Sequence, residues 1–204
     1  MQTDIYLLRH GATPANLEDR FAGRTEEPLH AKGLAQIKEV AATLAGQRIT
    51  TIFAGPLART RQSAAILGSL TGAPVQVEEA FNEIAIPHWD GLTKDEIRAR
   101  FGPEYPFWLA QPAAFRGPGC ETLAAVQERA VAGLERIMAS HAGQRLVVVS
   151  HLIVLRCLAL HYLGRSLMDF RKICLANGEL TLISRTAATT TITLPPRPWS
   201  APRR

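Results

Sequence analysis

Ile5-Tyr6-Leu7-Leu8-Arg9-His10-Gly11 decides the reading of this chain. Four apolar residues in an unbroken run are the pattern of a central strand buried on both faces. Such a strand ends at the sheet edge where α/β proteins bind their ligands. The end of this one carries a permanent cation, an imidazole and a flexible backbone corner, a combination suited to an anion.

Two later segments repeat the arrangement. Thr51-Ile52-Phe53-Ala54 reads as a second strand and passes through Gly55-Pro56-Leu57-Ala58 to Arg59, with Pro56 well placed to open a helix. Leu146-Val147-Val148-Val149 reads as a third and ends in Ser150-His151. If the strands are parallel, Arg9, His10, Arg59 and His151 gather at one carboxyl edge. Two guanidinium groups fork onto the oxygens of a phosphate, one imidazole attacks phosphorus, and the other donates a hydrogen bond to the transferring group.

The chain resembles the histidine phosphatase superfamily, the group that also contains the cofactor-dependent phosphoglycerate mutases. The likeness runs in order through Leu8-Arg9-His10-Gly11-Ala12-Thr13-Pro14-Ala15-Asn16, then Phe21-Ala22-Gly23, Pro28-Leu29 and Gly33. It continues through Gly55 to Ala64, Glu83, Trp89-Asp90-Gly91-Leu92-Thr93, Gly119-Cys120-Glu121-Thr122 and Ser150-His151, covering roughly residues 5 to 178. Ala12 stands where the family usually has Glu or Gln, Gly55 where it has Ser, Cys120 where Gly is common, and Leu152 where Gly usually follows the histidine. None of these departures removes a group that does chemistry, but Ala12 and Leu152 are placed to narrow the pocket.

Composition bounds the alternatives. A chain of 204 residues with 47% apolar content falls within the range of one domain with a real core. No segment reaches the roughly 18 consecutive apolar residues of a membrane span, and Met1-Gln2-Thr3-Asp4 does not open a secretory signal. Cys120, Cys157 and Cys174 are odd in number and lack metal-ligand spacing. The expectation is a cytoplasmic, reduced protein with no metal and no cofactor. The net charge of +5 leaves no basic stripe for nucleic acid, because Arg197, Arg203 and Arg204 lie in the Pro-rich end and Arg9 and Arg59 in the pocket. A small-molecule phosphate ester is the expected partner, and a homodimer is left open.

Alternating strand and helix patterns imply an α/β fold: a three-layer α/β/α sandwich with a mostly parallel central sheet. Helices are expected over 33–45, 57–70, 121–138 and 152–163, and strands at 75–77, 179–184 and 189–194, one of the last two antiparallel at an edge. Residues 84–120 break the alternation with Trp89, Phe101, Tyr105, Phe107, Trp108 and Phe115, and two short helices are expected near 94–100 and 104–110. An insertion of this kind reads as a cap that selects substrate. The whole chain, 1–204, reads as a single domain, with residues 195–204 as an exposed, mobile tail.

His10 is the expected nucleophile, forming a phosphohistidine that water hydrolyses. Its neutral form is favoured by Arg9 and Arg59. His151 stands above His30, His88, His141 and His161, which read as surface or structural. Asn16 offers a side-chain donor to the anion, and the backbone near Thr13 and Gly23 lines its edge. A leaving alkoxide needs a proton, for which Glu78, Glu79, Glu83, Asp90 and Glu121 are all open by residue chemistry. The resemblance selects Glu83, with Glu121 second or instead a helix cap. The resulting expectation is a metal-independent phosphomonoesterase for a small metabolite. An aromatic, charge-balanced cap points to a ring-bearing leaving group such as α-ribazole phosphate, or to broad specificity. The alternatives are a phosphoglycerate mutase and a non-catalytic phospho-ligand binder.

Overall fold

The computed structural model describes residues 1–195, so the tail expected at 195–204 lies, apart from its first residue, outside the described residues. The three motif-bearing runs are strands of one sheet, β1 (Thr3–Arg9), β2 (Thr51–Ala54) and β4 (Arg145–Ser150), joined by β3 (Val75–Val77), β5 (Leu180–Arg185) and β6 (Thr190–Thr193). The order is β3-β2-β4-β1-β5-β6. From β3 to β1 the pairs are parallel, and β5 runs antiparallel to both β1 and β6. The antiparallel strand therefore lies one place in from the edge, and β6 is the edge.

Strand alternation sorts the core into two halves. Leu8, Ile52, Ala54, Val147 and Val149 pack with Ile37 and Val40 of α2 (Ala31–Leu44) and Leu67 of α3 (Ala58–Thr71). Ile5, Leu7, Phe53, Leu146 and Val148 pack on the other face with Val126 and Leu134 of α6 (Leu123–Ser140) and Leu158 of α7 (Leu152–Tyr162). Successive side chains of a strand point to opposite faces, so a run that is apolar at every position requires cover on both. The result is the three-layer α/β/α sandwich.

Between β3 and α6 the chain forms α4 (Lys94–Phe101), α5 (Glu104–Ala110) and short 3-10 turns at Pro87–Trp89 and Pro112–Ala114. Thr93 closes a capping box with Glu96 at the start of α4. The aromatic residues of this segment take a different place from the one expected. Trp89, Tyr105, Trp108 and Phe115 are all buried in the same apolar cluster as α6 and α7. Trp89 and Phe115 have ring centroids 5.0 Å apart, and Trp108 meets Phe170 edge-on at 5.9 Å. They form an extension of the core, and among the large aromatics of the segment Phe107 is exposed.

Parallel register brings the chemistry to one level. Arg9 of β1 pairs with Ser150 of β4, the His10 N–H donates to Ser150 O at 3.0 Å, and the Gly55 N–H donates to Val149 O at 3.0 Å. The β1 and β4 motifs, and the turn leading from β2 into α3, thus leave the sheet side by side.

Candidate active site

A cavity of about 130 Å³ opens at this edge, lined by Arg9, His10, Asn16, Arg20, Phe21, Ala22, Gly23, Arg59, Glu83, Leu152 and Ile153. Six of the eight residues expected from the sequence, Arg9, His10, Asn16, Gly23, Arg59 and Glu83, are in its wall. His151 is fully buried beside it, its ring 5.2 Å from that of His10. Thr13 is placed differently: its N–H donates to Asn16 Oδ1, and its hydroxyl accepts from the Asn16 N–H to cap the short helix α1 (Pro14–Leu17). Its backbone N–H is thereby turned to Asn16 and not to the cavity edge. Of the two family departures expected to narrow the pocket, Leu152 lines it. Ala12 is buried and instead binds Gln36 and His30 through its main chain.

The two imidazoles are held as complementary neutral tautomers. His10 Nδ1 lies 2.7 Å from Gly11 O; a carbonyl can only accept, so Nδ1 carries the proton and Nε2 keeps its lone pair. Arg59 Nε donates to His151 Nδ1 at 3.3 Å, so there Nδ1 accepts and Nε2 carries the hydrogen. Burial pushes both histidines well below their ordinary value of 6.5, and the charges of Arg59 and Arg9 add to the effect. His151 Nε2 and Arg9 Nε are buried without a protein partner among the described residues, two N–H donors available to an anion. Gly55 explains why the usual serine is missing: a Cβ there would lie 2.6 Å from Phe81 O and 3.3 Å from His151 Nε2.

The arginines are gripped from behind. Arg9 Nη1 donates to Leu175 O at 2.8 Å, and burial lowers its guanidinium to about 10, still charged at neutral pH. Arg59 donates to Gly23 O at 2.5 Å and to Thr25 O at 2.8 Å. The loop carrying those carbonyls is fitted to Asp90. Gly23 has φ +48°, and a Cβ on it would lie 1.7 Å from Asp90 Oδ1, so only glycine fits there. The N-terminus of α7 also reaches the cavity through Leu152 and Ile153, bringing the positive end of an 11-residue helix to the anion site.

Geometry separates the five carboxylates. Glu83 is the one that lines the cavity; burial raises its pKa even though Arg59, Arg129 and Arg9 oppose the shift. Its Oε1 accepts from the Ile84 N–H. Glu121 is clamped by Arg24 at 2.8 Å and Arg129 at 2.9 Å and accepts from the Ala85 N–H, and despite burial its pKa is lowered, by Arg129 first. It ties the cap to α6, while Thr122 caps that helix. Asp90 accepts from the Arg24 N–H, Glu78 caps the turn at 79–81 and pairs with Arg136, and Glu79 is exposed.

The sequence reading missed Arg20 and Phe21 in the wall, and Arg24 and Arg129, which donate to Glu83 O at 2.9 and 3.2 Å. It also missed Asn177, which touches His10 and Asn16. Among the described residues, no group of three or more His, Cys, Asp or Glu side chains is arranged to hold a metal ion, and no helix is long and apolar enough to cross a membrane.

The chain belongs to the histidine phosphatase superfamily (branch 1), whose family model matches residues 5–195. It is 30% identical over 188 residues to a probable phosphoglycerate mutase, GpmB, of Shigella boydii, covering 88% of this chain and 83% of that one. It is 27% identical over 179 residues to phosphoserine phosphatase 1 of Hydrogenobacter thermophilus, covering 88% and 85%. The solved structure of YhfR from Bacillus stearothermophilus superposes with a TM-score of 0.90 at 25% identity, covering 94% of this chain and 96% of that one.

Proposed function

We propose that this enzyme is a phosphatase for small phosphate monoesters, acting through a phosphohistidine on His10. The observation that carries the reading is the pair of fixed tautomers: a lone pair on His10 Nε2 and an N–H on His151 Nε2, between the buried Arg59 and the half-buried Arg9. His10 Nε2 attacks phosphorus, the ester P–O bond breaks, and the leaving alkoxide takes the proton of Glu83. Arg9, Arg59, Asn16 and the His151 N–H hold the three equatorial oxygens, which is where phosphoryl transfer needs charge stabilisation. Water then attacks the phosphohistidine and gives its proton to the Glu83 carboxylate. Inorganic phosphate leaves, and His10 is neutral again.

Cavity size bears on the substrate. About 130 Å³ lies well below the roughly 300–1,000 Å³ of pockets for drug-sized ligands, which suits a phosphoryl group with a short leaving group. The reading of a ring-bearing leaving group rested on cap aromatics, and Trp89, Tyr105, Trp108 and Phe115 are in the core while Phe107 is exposed away from the wall; Phe21, from outside the cap, is the aromatic in the wall. The third cation in the wall, Arg20, is neutralised by Glu18 at 2.7 Å and Glu96 at 3.5 Å. This favours hydrolysis over mutase chemistry, which needs free cations for a second anionic end. The three free cysteines, Cys120, Cys157 and Cys174, support a reducing, cytoplasmic setting.

The test is the fate of the phosphoryl group. With phosphoserine, 3-phosphoglycerate and aryl phosphates as substrates, release of inorganic phosphate is expected to outrun interconversion of 2- and 3-phosphoglycerate, even with the bisphosphate primer present. Mutase turnover equal to or faster than phosphate release on the best monoester would replace this reading.

A further inference from the structure

The turn Ala176-Asn177-Gly178 precedes β5, far in sequence from the strand-end motifs. Asn177 Nδ2 donates to His10 O at 3.0 Å and to Asn16 Oδ1 at 3.0 Å. We propose that Asn177 is a positioning residue: one amide fixes both the main chain of the nucleophile and the face that Asn16 presents to the phosphoryl group.

Amide orientation is ordinarily an assignment, but here the backbone decides it. His10 O can only accept, so the Asn177 atom facing it is nitrogen. The Thr13 N–H can only donate, and it meets Asn16 Oδ1 at 3.2 Å, so that atom is oxygen. Both hydrogens of the Asn177 amide are thus engaged, and Asn16 Oδ1 accepts twice, which satisfies its two lone pairs. What remains of the Asn16 side chain is its NH₂ group, and Asn16 lines the cavity with Arg9, His10 and Arg59. Asn177 and Thr13 together leave Asn16 able only to donate to the anion, and a rotated amide would set an oxygen against it.

The turn and the residue before it steady the end of β1 at two more points. The Gly178 N–H donates to Arg9 O at 3.0 Å, and Leu175 O holds the Arg9 guanidinium. Nucleophile, clamp and neutral donor therefore share one support, which comes from the antiparallel side of the sheet.

This proposal rests on the reading of His10 and Asn16 as a phosphate site. The experiment compares wild type, Asn16→Ala, Asn177→Ala and the double variant, reading kcat and KM for p-nitrophenyl phosphate, the competitive inhibition constant of inorganic phosphate, and Tm. Loss of one neutral hydrogen bond at the site corresponds to roughly tenfold weaker phosphate inhibition. Each single variant is expected to show it, and the double variant to be within about twofold of Asn16→Ala, the non-additivity of a coupled pair. Asn177→Asp, which cannot donate to either acceptor, is expected to be worse than Asn177→Ala at unchanged Tm. Asn177→Ser serves in the same cycle if Asn177→Ala does not fold. Losses that multiply in the double variant, or phosphate inhibition within twofold of wild type in every Asn177 variant, would overturn the role of Asn177. Absence of hydrolysis by wild type would instead overturn the phosphatase reading.

Discussion

At the carboxyl edge of β1, β2 and β4, polar side chains are buried with donors turned to a cavity. Across residues 84–120, Trp89, Tyr105, Trp108 and Phe115 are also buried, and they are turned away from it. Both regions look functional in sequence, the first for its Arg and His residues and the second for its Trp, Tyr and Phe. Burial means different things in each. A buried charge is costly unless a partner or a ligand compensates it; Arg59 at 1% exposure hydrogen-bonds to the neutral acceptors Gly23 O, Thr25 O and His151 Nδ1 and is suited to an added anion. A buried aromatic is favourable by itself, so Trp89 at 0% implies nothing beyond a core. Changes at the edge should therefore remove chemistry with little effect on stability, and changes in the cap should do the reverse.

The largest effect is expected at the nucleophile. His10→Ala should lower kcat/KM by roughly 10⁴-fold or more while Tm stays within a few degrees of wild type, and rapid quenching of wild type should trap an acid-labile, base-stable phosphoryl group on His10. Phosphate recovered on serine or cysteine, or substantial turnover by the variant, would show that His10 is not the nucleophile.

Trp108→Ala tests the other end. Removing a large buried aromatic from a packed core costs about 3–5 kcal/mol, measurable by denaturant titration, whereas kcat/KM per folded molecule should stay within about threefold. A selective loss of turnover on ring-bearing esters, without loss of stability, would return the cap aromatics to the substrate.

Glu83→Gln is expected to slow alkyl esters by roughly 10² to 10³ and aryl esters by less than tenfold, because a good leaving group needs little protonation. Equal losses on both would make Glu83 a positioning group. Glu121→Gln should show no such leaving-group dependence, since its oxygens are held by Arg24, Arg129 and the Ala85 N–H.

Much of the edge was legible because its signals are local. Leu146 to Val149 are apolar at every position since both faces of β4 are covered, and the motif follows the strand directly. The choice between Glu83 and Glu121 was not legible without the family likeness. It depends on Arg129, in mid-helix on α6, and on Arg24, in an exposed loop, and neither differs in sequence from an ordinary solvated arginine. Asn177 carried only the Asn-Gly signature of a turn. The cap aromatics misled because their type records burial and leaves unstated what they are buried against.

The folded-state pKa values of His10 and His151 lie well below the ordinary 6.5, so below that pH the unfolded chain takes up protons the folded one does not. Stability is full above about pH 6.5 and falls as pH drops, with a limiting slope of about 1.4 kcal/mol per pH unit for each histidine. Glu83 and Asp90 are raised and act in the opposite sense, contributing stability that is full below their ordinary values of 4.5 and 3.8 and is lost as pH rises through their folded values. Denaturant titrations between pH 5 and 7 should show the histidine slope, reduced by one proton in His10→Ala; an unchanged slope would mean that His10 is protonated in the folded protein.

The smallest effect is expected where the two regions meet. Phe21 lines the cavity and also packs edge-on against Trp89, ring centroids 5.5 Å apart, so it is a wall aromatic that couples the aromatic core to the substrate. Phe21→Ala should change the ratio of kcat/KM between apolar and polar leaving groups by about 10-fold, the scale of about 1–3 kcal/mol that apolar pockets achieve in discrimination, while turnover of the preferred substrate class falls less. Phe107→Ala, at an exposed cap aromatic, should leave both that ratio and Tm unchanged. If Phe107 moved the ratio and Phe21 did not, specificity would lie on the outer surface of the cap, and the division between a chemical edge and a structural cap would have to be redrawn there.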